Sequence, residues 1–137
     1  MSYKIVGKYI KKLNFDIPNP KTFFLLSKDI SNYKINIKSN QIKEDIVEVQ
    51  ISLSLKSNMT QDNIINTEII YSAIIEISEK NNSKDQIEKI ILIDVPTEIY
   101  PELRKIFIFI FESSGFKEIK INEKVDFQKL LNLRKTQ

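Results

Sequence analysis

Residues 44–77 read EDIVEVQISLSLKSNMTQDNIINTEIIYSAIIEI, and their alternation decides the fold. Val47, Val49, Ile51, Leu53 and Leu55 recur at every second position with polar residues between most of them, the period of a strand that buries one face. A polar turn follows over 57–63. Beyond it Ile65, Thr67, Ile69, Tyr71, Ala73, Ile75 and Ile77 alternate with Asn66, Glu68, Ile70, Ser72, Ile74 and Glu76. Both faces of this second run carry apolar side chains, which places it at the centre of a sheet with its second face partly covered. Glu44, Asp45 and Glu48 fall in a mixed-charge stretch that reads as a solvated face.

Upstream, the odd positions Tyr3, Ile5, Gly7, Tyr9, Lys11, Leu13, Phe15 and Ile17 predict one more half-buried strand, stopped by Pro18 and Pro20. Tyr33, Ile35 and Ile37 make a further alternating stretch, separated from the 47–55 run by a polar connection over 38–45, and the two read as a pair of strands or one bent strand. Between them, 21–33 holds Phe23, Phe24, Leu25 and Leu26 in a row without a clean period, which reads as a crossover loop. Such a loop either tucks these side chains into the core or presents them to a partner, and the residues alone leave both open.

Downstream the period changes. Residues 78–84 read as a solvated loop and 85–94 as a short helix. Pro96 and Pro101 bracket a turn, and Pro101 opens a helix that ends at Gly115. Asp126 is placed to cap a closing helix with Phe127, Leu130, Leu131 and Arg134 on one face. Strands precede helices, so the class is α+β, and 137 residues make one domain, 1–137.

Composition narrows the function. The chain has no cysteine and no histidine, which removes disulfides, thiolate nucleophiles, thiolate metal sites and the usual neutral-pH acid–base group. No catalytic residue, cofactor or metal is expected. The only glycines are Gly7 and Gly115, so no glycine-rich phosphate loop is available. The start, MSYKIVGKYIKK, lacks the apolar stretch of a signal peptide, and no run approaches the roughly 18 apolar residues of a membrane span, which predicts a cytosolic chain without direct membrane insertion. Net charge is +3, with 21 basic and 18 acidic residues interspersed.

The helix before Gly115 is unusual. Leu103 and the run Ile106 to Phe111 make it apolar nearly all round, and one sheet covers only one side. Burying the rest at roughly 1.5–3 kcal/mol per large side chain drives association through Ile106, Phe107, Phe109 and Ile110. The alternative is a helix wholly enclosed in one subunit.

YIKKLNFDIPNP (9–20) is similar to the first-strand signature of the SecB export chaperones. EDIVEVQISLSL, TEIIYSAIIEI, VPTEIYPELRKIF and VDFQKLL resemble, in order, that family's second strand, third strand, opening of the long helix and closing helix. The resemblance implies a four-stranded antiparallel sheet with helices packed on one side, and a homotetramer built as a dimer of dimers through the long helix. It also implies ATP-independent holding of unfolded polypeptides for Sec-dependent export. On this likeness the client-binding residues are Phe23, Phe24, Leu26, Tyr33, Leu130 and Leu133, and contact with the motor ATPase SecA falls on Asp16 and Glu68. The sequence departs from the family in being basic, in ending on LRKTQ where export members often carry a SecA-docking tail, and in having Lys12 at an acidic position. A chaperone dedicated to one client, such as an antitoxin, is the alternative. A nucleic-acid-binding regulator, supported only by the positive charge and the first-strand lysines, is the runner-up of another class; steep salt dependence would mark it.

Overall fold

The computed structural model describes residues 3–29, 33–58, 64–117 and 119–135. Four antiparallel strands, β1 (Tyr3–Asn14), β2 (Lys34–Lys43), β3 (Ile46–Asn58) and β4 (Ile64–Ile77), form one sheet in the order β1-β4-β3-β2. The expected α+β class and central position of β4 hold. Residues 38–43, read as a connection, instead continue β2; the alternation fades there because β2 is an edge strand wetted on both faces. Glu44 and Asp45 then turn the chain in two residues. Asp45 takes a positive φ of 64°, which its short polar side chain tolerates, and its carbonyl accepts from the Ile77 N–H at 2.8 Å. Of the polar turn expected over 57–63, residues 59–63 lie outside the described residues.

β1 departs from strict alternation. The pairing with β4 slips between Ile5 and Gly7 and again between Ile10 and Lys12, and each extra residue reverses the face. Tyr9 therefore lies opposite Ser72 on the outer face, while Ile10 lies opposite Tyr71 and Leu13 opposite Ile69 on the helix side. The strand ends at Asn14, not at Ile17; Phe15 leaves the ladder and packs edge-on against Phe111 at 5.0 Å.

The crossover is a helix, α1 (Pro20–Asp29), in place of the expected loop. Asn19 caps it, accepting from the Thr22 backbone N–H at 2.8 Å and the Thr22 hydroxyl at 3.0 Å, and Pro20 takes the first helical position, where no donor is needed. The prolines near 100 likewise do not bracket a turn. Helix α2 (Lys84–Lys89), opened by a Ser83–Gln86 capping box, passes through a π-helical turn (Ile90–Asp94) straight into α3 (Val95–Ser113). The wider turn, with the Val95 N–H reaching the Ile90 carbonyl, makes room ahead of Pro96, and Pro101 sits within the next turn of α3. Gly115 ends the helix as expected: at φ 95° it lets its own N–H reach the Glu112 carbonyl and the Phe116 N–H reach the Phe111 carbonyl, both at 3.1 Å. Helix α4 (Phe127–Lys135) begins at Asp126, whose carboxylate accepts from the Lys129 N–H at 3.0 Å. The Arg134 side chain lies outside the described residues.

The core lies between the sheet and α3. Val95, Ile99, Leu103, Phe107 and Phe111, spaced by four, form one fully buried row against Val49, Ile51, Leu53, Ile69, Ala73 and Ile75.

Candidate functional site

Two apolar grooves open at opposite edges of the sheet. The first, about 750 Å³, runs between β1 and α3 and is walled by Ile10, Leu13, Tyr71, Ile106, Phe109 and Ile110. Phe109 is 70% exposed, and Ile10 and Leu13 are each 47% exposed. Three of the four residues expected at an interface thus converge here. Phe107 does not: it is fully buried in the subunit's own core, because it falls on the four-spaced row that faces the sheet. Sequence reasoning missed both Ile10, whose side the first β1 bulge conceals, and Leu13, which lies on the expected face but reads as ordinary strand burial. At the groove's margin Glu102 accepts from Lys8 at 2.5 Å and from the Tyr71 hydroxyl, and these bonds hold its carboxyl below the usual range. The Tyr71 hydroxyl is pushed up to about 12, first by burial and then by that carboxylate.

The second groove, about 350 Å³, lies between β2 and α4. Tyr33, Ile35, Val125, Leu130 and Leu133 form its apolar lining, with Asn122, Lys124, Asp126 and Lys129 beside them. The Tyr33 hydroxyl accepts from the Asn122 backbone N–H at 3.1 Å, which ties the first residue of the wall to the segment before α4. Three expected client residues, Tyr33, Leu130 and Leu133, are brought together. The α1 residues are not part of this lining. Phe23 stacks on Phe116 at 4.6 Å, Phe24 is 65% exposed beside it, and Leu26, 1% exposed, is a core anchor and not a contact surface. In a helix four consecutive apolar residues cannot share a face, so α1 divides them between core and solvent.

On the outer face of the sheet, Glu48 contradicts the solvated reading. It is 5% exposed beneath Tyr9 and Lys11, and accepts from the Tyr9 hydroxyl, Lys11 (2.9 Å), Ser72 (2.7 Å) and Gln50 (3.0 Å). These bonds, led by Tyr9, hold its carboxyl down to about 2 against the opposing effect of burial. Asp16 is exposed just past β1, and Glu68 is ion-paired with Lys12 at 2.9 Å. Among the described residues no three acidic, histidine or cysteine side chains gather as a metal would need, and no helix is long and apolar enough to cross a membrane.

The pattern of the SecB family, described as preprotein translocase subunit SecB, matches residues 1–137. A SecB relative from Pelagibacter ubique (strain HTCC1062) is 37% identical over 135 residues, spanning 97% of this chain and 96% of its own length. The protein-export protein SecB of Anaplasma phagocytophilum (strain HZ) is 26% identical, spanning 90% of this chain and 87% of its own. Among solved structures, the SecB-like chaperone Rv1957 of Mycobacterium tuberculosis, in complex with a ChAD peptide from the Rv1956 HigA1 antitoxin, superposes with a TM-score of 0.55 at 10% identity. That match covers 88% of this chain and 90% of the other.

Proposed function

The chain belongs to the SecB family, and from that premise we propose that it is an ATP-independent holding chaperone for unfolded polypeptides, acting in the cytoplasm on preproteins for Sec-dependent export. The observation that carries the reading is the cleft between β2 and α4, where Tyr33, Leu130 and Leu133 share an apolar lining and Leu133 is 52% exposed. An extended chain that docks there releases water from apolar surface on both partners. We assign it no catalytic step. The β1–α3 groove takes a second subunit, and two such pairs make a tetramer. Contact with SecA would fall on Asp16 and Glu68, and the Lys12 ion pair offsets the charge of the second.

Leu133→Asp tests the cleft. The position is 52% exposed, so the fold survives, while affinity for a labelled unfolded client drops about tenfold as a charge enters the apolar lining. Unchanged affinity would remove the cleft from the site. A dedicated-client role, which the antitoxin peptide held by the structural neighbour favours, is separated by SecA itself. An export chaperone binds it and loses affinity in Asp16→Lys/Glu68→Lys, whereas a dedicated chaperone shows no SecA binding at all.

A further inference from the structure

The charges beside the β2–α4 cleft lean positive, two lysines to one aspartate. Lys124, Asp126 and Lys129 are the ionisable side chains of its lining, apart from the Tyr33 hydroxyl. Asp126 keeps its negative charge, but its Oδ1 is turned to the α4 N-terminus, which it caps through the Lys129 N–H. Lys124 and Lys129 are both exposed, and neither makes an ion pair among the described residues. An apolar floor of Ile35, Val125, Leu130 and Leu133 thus meets a rim with two uncommitted ammonium groups. At about 350 Å³ the cleft is near the lower end of the range for small-ligand sites, roughly 300–1,000 Å³, so it admits a side chain or two of an extended segment and not a folded surface.

We propose that this cleft selects polypeptide segments in which a large apolar side chain is flanked by a carboxylate, with the apolar group on the Leu130–Leu133 floor and the carboxylate at Lys124 and Lys129. The proposal rests on the chaperone reading of the cleft and adds a charge rule to it. Charge complementarity at an exposed rim contributes little per pair and falls with salt, so the rule is a bias among apolar segments and not an independent anchor. A bare polyanion such as nucleic acid meets the lysines but leaves the floor empty, and the lining has no basic row to track a phosphate backbone.

The test uses the full chain and three labelled peptides with the same Leu-Phe-Leu centre and Glu, Gln or Lys flanks, read by fluorescence anisotropy. The expected order is Glu before Gln before Lys, with roughly three- to tenfold between the extremes at low ionic strength and a much smaller gap at about 0.5 M salt. Lys124→Glu/Lys129→Glu should invert that order; both sites are exposed and Glu suits the third position of a helix, so the fold is preserved. Equal binding of the three peptides, or an order unchanged in the double variant, overturns the charge rule and leaves the cleft reading standing. Binding of none of them overturns the cleft reading and the rule with it. Displacement of the Glu-flanked peptide by a short single-stranded RNA at equal potency makes the site a general anion site, and also overturns the rule.

Discussion

Glu48 sits where alternation predicts solvent, yet it is nearly buried, and Tyr9 is the reason. The bulge after Ile5 turns Tyr9 over the outer face, where its ring shields the carboxylate and its hydroxyl donates to it. A carboxyl held down to about 2 in the fold and titrating near 4.3 when unfolded gives stability that is complete above about pH 4.5 and is lost as pH falls toward 2. Glu48→Gln should cost about 2 kcal/mol at pH 7, since charge-assisted bonds to a buried acceptor are lost, and should flatten the pH dependence between 4.5 and 2. Urea denaturation at pH 7 and pH 3 reads both effects. Phe23 and Phe24 separate in the same way. Phe24→Ala, at a ring that is exposed and outside the cleft lining, should leave the melting temperature nearly unchanged. Phe23→Ala removes a ring stacked on Phe116 and should destabilise by about 1–3 kcal/mol.

At the scale of elements, legibility followed how local each signal was. β3 and β4 were readable because one strand face is buried throughout and the period is unbroken from Val47 to Leu55 and from Thr67 to Ile77. The cap at Asp126 and the stop at Gly115 depend on one or two residues each and were readable too. β1 was half readable: the first bulge reverses the face without leaving a mark in the odd-even pattern, so Tyr9 and Ile10 were assigned to the wrong sides, and the second bulge returns Leu13 to the expected one. In α1 the helix-start signal, Asn19 before Pro20, is present but doubles as a strand stop, and the Phe23–Leu26 run hides the helical period. On α3 the near all-round apolarity was legible, but which residues face the sheet depends on the phase of the four-spaced row. That phase makes Phe107 core and Phe109 surface, one element with two outcomes. Phe107→Ala should cost about 3–5 kcal/mol in a denaturant melt. Phe109→Asp should leave the subunit folded and break the proposed assembly, with light scattering as the readout, because an unpaired charge in an apolar interface costs several kcal/mol.

Across the whole molecule the sheet order separates two tasks. β1 and β2 are its opposite edges, so the proposed self-association along β1 and α3 would leave the β2–α4 cleft open. Such an assembly would carry several clefts on one particle, and a long unfolded chain would gain from engaging several at once. The chain's mild positive charge and the Lys11–Glu48 and Lys12–Glu68 pairs keep the outer face from being an acidic surface, which fits weak coupling to SecA better than strong. On the proposed function, this fold holds unfolded polypeptide with no energy source. Dilution of a chemically unfolded, aggregation-prone protein into buffer with the purified chain and no nucleotide, followed by light scattering, tests it most directly. Suppressed scattering at a near-stoichiometric ratio of assembly to substrate, unaltered by added ATP, is the predicted result; scattering equal to that of the substrate alone would contradict it.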